Sequence, residues 1–252
     1  MDGLHTWVIN LDKDQERLQR ITQQLAPTGL AWTRISAVYG RDLPPDERAR
    51  LLDTAAYRRK HGMEPALGEL GCYLSHIAVM RALLASPHAA ALVLEDDVLL
   101  TPALRPVLQG LLANPGRWDM VKLSQVHSGT PQRVLEVAPG HWLSVMMSRC
   151  TGSSAYLVNR RAAQVYVDRL LPMDLPYDHV FDRGWALGLK VRMVSPTPCI
   201  HDEEIATTIT ASGSRKFAWH QRLGAHRYRL GNELQRVWYG WTETRRERAA
   251  SA

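Results

Sequence analysis

The 252 residues, 45% hydrophobic and 22% charged, have the composition of a globular chain with a sizeable core, which excludes intrinsic disorder. The formal net charge is +6, and residues 215–252 account for all of it, with nine basic against three acidic side chains. A body that is formally neutral over residues 1–214 argues against nucleic-acid binding, which requires a basic patch on the domain itself.

In chain order, His5–Asn10 (HTWVIN) reads as a first strand. Leu18, Ile21 and Leu25 recur at helical spacing within Asp12–Ala26, and Pro27 and Gly29 end that helix. Trp32–Ser36 follows as a second strand, so the chain opens β-α-β, the pattern of a parallel sheet covered by helices. Asp42–Glu64 is polar and reads as loop with a short helix, and Gly68–Ser86 reads as a helix with Leu70, Leu74, Ile77 and Leu84 on one face. The run Ala89–Leu94 (AAALVL) suits a strand buried on both faces. Beyond it lie a helix opened by Pro102, strands at Trp118–Ser124, Trp142–Met147 and Ser153–Val158, and a helix over Arg160–Leu171. Asp178–Leu187 reads as helix and Lys190–Val194 as a late strand. The domain therefore spans residues 1–214, followed by a basic tail at 215–252.

In that tail, Lys216–Trp241 has the helical pattern, with Leu223, Leu230, Leu234, Val237 and Trp241 on one stripe among arginines. The stripe either packs on the body or lies on an anionic membrane surface, and Trp219, Trp238 and Tyr239 suit the second role as well. Cys72, Cys150 and Cys199 are odd in number and form no CxxC pair, which disfavours both a disulfide framework and a zinc site. No stretch approaches the ~20 continuous apolar residues of a membrane span. The opening MDGLHTWVINLDKD lacks the basic and apolar regions of a signal peptide, so the expected location is the cytoplasm. Contact with the inner face of the membrane through the tail would be peripheral.

Open parallel sheets bind ligands beyond the carboxyl ends of their strands, where Glu95, Asp96 and Asp97 stand. Three adjacent carboxylates repel one another and are costly to desolvate without a cation. Alternation puts Glu95 and Asp97 on one side and Asp96 on the other, and two convergent hard oxygen ligands suit Mg²⁺ or Mn²⁺. An exposed acidic turn is the competing explanation.

LEDDV at Leu94–Val98, preceded by GELGCYLSH at Gly68–His76, resembles glycosyltransferase family 25, which includes bacterial lipooligosaccharide galactosyltransferases and collagen galactosyltransferases. VINLDKDQER at Val8–Arg17, RISAVYG at Arg34–Gly40, GSSAYLVNRRAA at Gly152–Ala163 and, more loosely, PYDHVFDRGW at Pro176–Trp185 extend the resemblance in order over about residues 5–205. The resemblance implies a GT-A-like α/β fold with a mostly parallel central sheet, a UDP-sugar donor (usually UDP-galactose) and inversion at the anomeric carbon. It assigns Glu95 and Asp97 to the metal and Asp96 to metal or ribose, and it places Asn10 and Arg17 where the nucleotide docks. Gly68 and Gly71 would allow close backbone approach at a helix start. Glu69, Ser75 and His76 would line the donor pocket, or else serve as a helix-end charge, a helix-interior hydroxyl and a core histidine. Asp178 is the candidate base for the acceptor hydroxyl, or a helix N-cap, with Asp182 its rival. His201 would complete the metal shell or merely pair with Asp202, and Lys122 or Arg215 would assist the departing UDP. The expected acceptor is a glycan precursor such as lipooligosaccharide or lipopolysaccharide core, lipid-linked where the tail meets the membrane. The competing classes are a nucleotide-sugar binder without catalysis and a metal-dependent nucleotidyltransferase; no Gly-rich phosphate loop supports the latter.

Overall fold

The computed structural model describes residues 1–201 and 217–249, without the side chains of His201 and His220. The predicted opening unit is present as β1 (Leu4–Asn10), α1 (Gln15–Leu25) and β2 (Trp32–Ser36), with β2 parallel to β1. Helix α1 begins three residues later than its apolar spacing suggests, because Asp12 and Lys13 form a turn at the strand end. The polar stretch that follows holds two helices, α2 (Pro45–Leu51) and α3 (Thr54–His61). Pro45 sits in the first turn of α2, and the Asp53 carboxylate caps α3 by accepting from Ala56 N–H at 2.9 Å.

Helix α4 (Leu67–Ala85) is long and apolar enough to cross a membrane by length and composition, yet Leu70, Tyr73, Ile77, Met80 and Leu83 are buried in the core. It leads into β3 (Ala90–Glu95), whose side chains feed both faces of the sheet, Ala91 and Val93 on one and Ala90, Leu92 and Leu94 on the other. The strand ends at Glu95; Asp96 and Asp97 form a turn into β4 (Val98–Leu100). Then come α5 (Leu104–Leu112), β5 (Met120–Lys122), the hairpin β6 (Pro131–Ala138) and β7 (His141–Met146), β8 (Ala155–Asn159) and α6 (Arg160–Arg169). The helix predicted over Asp178–Leu187 is two single turns, α7 (Tyr177–Val180) and α8 (Gly184–Leu187). Strand β9 (Val191–Ser195) and the short β10 (Cys199–His201) precede the tail helix α9 (Leu223–Ala249).

Eight strands form one sheet in the order β2-β1-β3-β8-β5-β9-β7-β6, and β10 pairs antiparallel with β4 apart from it. Six of the eight run in one direction, with β8 and β7 reversed, so the sheet is mostly parallel as expected for a GT-A-like fold. One core lies between the sheet and α4 with α6, and the other between the sheet and α1 with α5. Among the described residues the three cysteines are free.

The boundary expected at 214/215 and Arg215 lie outside the described residues. Helix α9 packs on the body, against α3, α8 and the β6–β7 hairpin, but through a side other than its apolar stripe. Its buried residues are Ala225, Arg236, Gly240, Glu243, Thr244 and Glu247, while Leu223, Leu230, Leu234, Val237 and Trp241 are exposed. The reason is electrostatic. Arg192 on β9 is fully buried and reaches Glu243 at 2.7 Å and Glu247 at 2.8 Å, and Arg236 reaches buried Asp182 at 3.0 Å. Those charges bind the helix by its polar side.

Candidate donor cavity

The carboxyl ends of β1 and β3, the loop after β2 and the first half of α4 enclose a cavity of about 310 Å³. Of the residues singled out in the sequence, Asn10, Arg17, Gly68, Ser75, His76, Glu95, Asp96 and Asp97 all line it. The acidic triplet converges more tightly than strand alternation predicts. Because Asp96 and Asp97 lie in a turn, all three acidic residues line the same cavity instead of dividing between two sides of a strand.

Each acid has its own neighbours. Asp96 accepts from Asn10 Nδ2 at 2.7 Å and lies 3.4 Å from Arg17 Nη1. Burial still holds its carboxyl above the ordinary value, against the pull of Asn10 and Arg17. Asn10 is itself fixed, donating also to Asp14 O at 2.9 Å and accepting from Arg34 Nε at 2.9 Å. Glu95 accepts from Ser153 Oγ at 2.7 Å and lies 3.3 Å from His76 Nε2. The Asp97 carboxyl is pushed up to about 7 by burial and then by Glu95 and Asp96. Hard oxygen donors crowded to that degree form a set that a divalent cation fits, since it would remove the repulsion that raises Asp97.

His76 is wholly buried, with Nδ1 3.0 Å from the Tyr156 hydroxyl and its ring stacked on Tyr177 at 4.2 Å between centroids. Its donor nitrogen, Cys72 Sγ and a Glu95 oxygen lie within 4.8 Å of one another. The Cys72 thiol is driven well above its usual value by burial first, then by Glu95, Asp178, Asp97 and Glu69.

Other sequence candidates have structural work. Glu69 does not line the cavity; it accepts from Tyr57 Oη at 2.7 Å and from Ala66 N–H at 2.9 Å, closing the start of α4. Ser75 touches the cavity, and its hydroxyl accepts from Val38 N–H at 2.8 Å and donates to Gly71 O at 2.7 Å. Gly71 serves protein packing: a Cβ there would lie 2.4 Å from Val38 O. Lys122 is buried, donating to Cys150 O beneath the Phe181 ring, and Asp182 belongs to the Arg236 pair. Asp178 is not the cap of α7, a position held by Pro176; it accepts from Gly152 N–H at 3.3 Å and lies 4.0 Å from His179 Nε2. It stands outside this cavity, close enough for its charge to be felt at Cys72 on the cavity wall. The His201 side chain lies outside the described residues, but β10 brings that position into register with Val98, next to the acidic turn.

The cavity also contains residues that sequence reasoning passed over. Lys13 Nζ lies 4.7 Å from the centroid of the Tyr39 ring, and Arg41 lines the same wall. Tyr39 lies inside the RISAVYG motif, and the signal that could have found it is an aromatic residue next to Gly40 shortly after a strand.

Residues 4–181 match the family model described as glycosyltransferase family 25 (LPS biosynthesis protein). A glycosyltransferase 25 family member from Anopheles gambiae is 31% identical over 124 residues, covering 46% of this chain and 21% of its own length. Procollagen galactosyltransferase 1-A from Xenopus laevis is 26% identical over 180 residues, covering 67% of this chain and 29% of its own length. The chain thus spans well under half of either relative. A solved structure of a glycosyltransferase involved in glycosylation of the major capsid of PBCV-1 aligns over 90% of this chain and 98% of that one, with 8% identity and a TM-score of 0.45.

Proposed function

The chain belongs to glycosyltransferase family 25, and from that membership we propose that it is an inverting, metal-dependent enzyme moving a sugar from a UDP-sugar to a glycan acceptor. The observation that carries the reading is the convergence of Glu95, Asp96 and Asp97 on one cavity with Asn10, Arg17 and Lys13. That arrangement offers carboxylates for a cation and basic groups for phosphate oxygens in the same 310 Å³ space. Galactose is the favoured sugar, supported by the name of the Xenopus relative, and lipooligosaccharide or lipopolysaccharide core is the favoured acceptor.

Glu95 and Asp97 would hold Mn²⁺ or Mg²⁺, joined by Asp96 or His201, and the ion would supply charge neutralisation at the pyrophosphate. Tyr39, with Lys13 against its ring, offers a face for the uracil, and Arg17 and Arg41 flank the phosphates. The acceptor hydroxyl attacks the anomeric carbon on the side away from UDP. The bond to the UDP oxygen breaks with its electron pair going to UDP, and Asp178 takes the hydroxyl proton. What supports Asp178 for that task is that it is partly exposed, accepts from Gly152 N–H, and stands near enough to the cavity for its charge to act on Cys72.

The test is UDP release from UDP-galactose, UDP-glucose and their N-acetyl forms with Mn²⁺ or with EDTA, combined with calorimetry of UDP binding. Mn²⁺-dependent release from one donor, lost in Asp97→Ala, is the expected result. Absence of both turnover and Mn²⁺-dependent UDP binding overturns the proposal.

A further inference from the structure

The outer face of α9 combines an exposed apolar strip with exposed arginines, on a helix already docked to its domain. Leu223, Leu230, Leu234, Val237 and Trp241 fall within a strip roughly 60° wide at 3.6 residues per turn, with Trp238 on its border. Leu230, Leu234 and Trp238 are 64%, 63% and 66% exposed. Trp238 and Trp241 lie 5.3 Å apart between ring centroids, and the Arg245 guanidinium lies 3.7 Å from the centre of the Trp241 ring. Arg227 and Arg248 are also exposed on this side, and Trp219 is exposed in the turn that precedes the helix.

The helix's acidic residues are disposed the other way. Glu243 and Glu247 are buried against Arg192, and Glu233 faces Arg236 at 3.8 Å at the edge of the docked side. The outward face therefore presents leucine, valine, tryptophan and arginine without a carboxylate among the described residues. Apolar area exposed in one strip seeks cover. The charge around it selects the cover: a surface that is apolar within and negative at its rim, which is the description of an anionic bilayer.

We infer that α9 is a membrane-docking helix that lies in the headgroup region of an anionic lipid surface through Leu223, Leu230, Leu234, Val237, Trp238 and Trp241, with Arg227, Arg245 and Arg248 on lipid phosphates. Its other side stays fastened to the body by the Arg192 and Arg236 ion pairs. The inner side also contributes Tyr228, Arg229 and Asn232 to a second cavity of about 220 Å³ that includes His179, the neighbour of Asp178. A docked helix would thus hold the proposed acceptor side of the enzyme close to the lipid surface.

Removing the tail is a poor test, since it would strand Arg192 and Asp182 in the core. The informative variants change the outer face of the full chain. Purified protein is mixed with vesicles of phosphatidylcholine alone or phosphatidylcholine with phosphatidylglycerol, and the bound fraction is read by flotation at low and high salt. Binding to the phosphatidylglycerol vesicles only, weakened by salt, is expected. Leu234→Gln with Trp238→Gln should weaken it by about ten-fold or more. Arg227→Gln and Arg245→Gln should each weaken it roughly five-fold. Thermal melting and UDP binding of these variants should match the parent, which separates this inference from the donor-site reading. Equal binding to neutral and anionic vesicles, no binding to either, or sedimentation as a dimer that the Leu234/Trp238 change dissociates would each overturn it.

Discussion

Two buried charge clusters in this molecule follow opposite rules. Under α9, Arg192 meets Glu243 and Glu247 and Arg236 meets Asp182, so each buried charge has its opposite within 3.0 Å. At the end of β3, three carboxylates share one cavity, and Arg17 at 3.4 Å from Asp96 is the cation paired with them in a described contact. The first cluster is complete and holds a helix in place. The second brings like charges together, a repulsion that costs stability and that a bound cation would relieve.

The comparison breaks most visibly at Asp182. Asp182→Asn leaves Arg236 charged and buried, and should lower stability by about 3–5 kcal/mol, measured from the urea midpoint. Asp182→Leu combined with Arg236→Met should recover most of that loss. At the other cluster the same kind of change should act on function. Asp97→Asn is expected to reduce Mn²⁺-dependent UDP release by about 100- to 1,000-fold, or roughly 3–4 kcal/mol of transition-state stabilisation. Its urea midpoint should equal or exceed the parent's, because a mutual repulsion has been removed. A lower midpoint would place Asp97 in the structural class. Tyr39→Ala should raise the donor KM by about ten-fold with kcat within two-fold, as expected for a lost stacking surface worth roughly 1–3 kcal/mol.

The smallest effect is the acid limb of stability. Burial works against ionising Glu243, but Arg192 and Arg246 outweigh it and hold the carboxyl below its ordinary value of 4.5. The folded form therefore binds this proton less readily than the unfolded one. The corresponding stability is present above the ordinary value and lost as pH falls through the folded one. Glu243→Gln should flatten that part of a urea-midpoint profile below about pH 5.

The strands that frame the acidic cavity were legible because they stop where the polar turns start; Trp32–Ser36 is a strand over its whole predicted length. Strand β6 was not legible. It is an edge strand, opens on Pro131 and carries two register irregularities against β7, so its polarity does not alternate cleanly. Periodicity located α9 but not its orientation, since a stripe of leucines states where a helix has a face and not whether the domain uses it. What reversed the expectation was Arg192, Asp182, Glu243 and Glu247, whose pairing joins distant parts of the chain. Short-range ambiguity acted on Glu69 in the same way. A carboxylate three residues into a helix motif reads equally as ligand or cap, and only the position of Ala66 N–H decides.

The loop bearing Tyr39 and Arg41 meets α4 backbone to backbone at Gly40 and Gly71, where an added Cβ on Gly40 would stand 1.8 Å from Leu67 O. The Val38 amide is tied to Ser75 on the same helix. Loop and helix are therefore one rigid piece, and α4 carries that rigidity on to His76 beside Glu95. A nucleotide entering the cavity would find its wall already set and lose little of its binding free energy to ordering protein. Ligand preference in such a wall would be retuned by exchanging side chains and not by shifting the loop, because the glycine contact leaves the backbone nowhere to go.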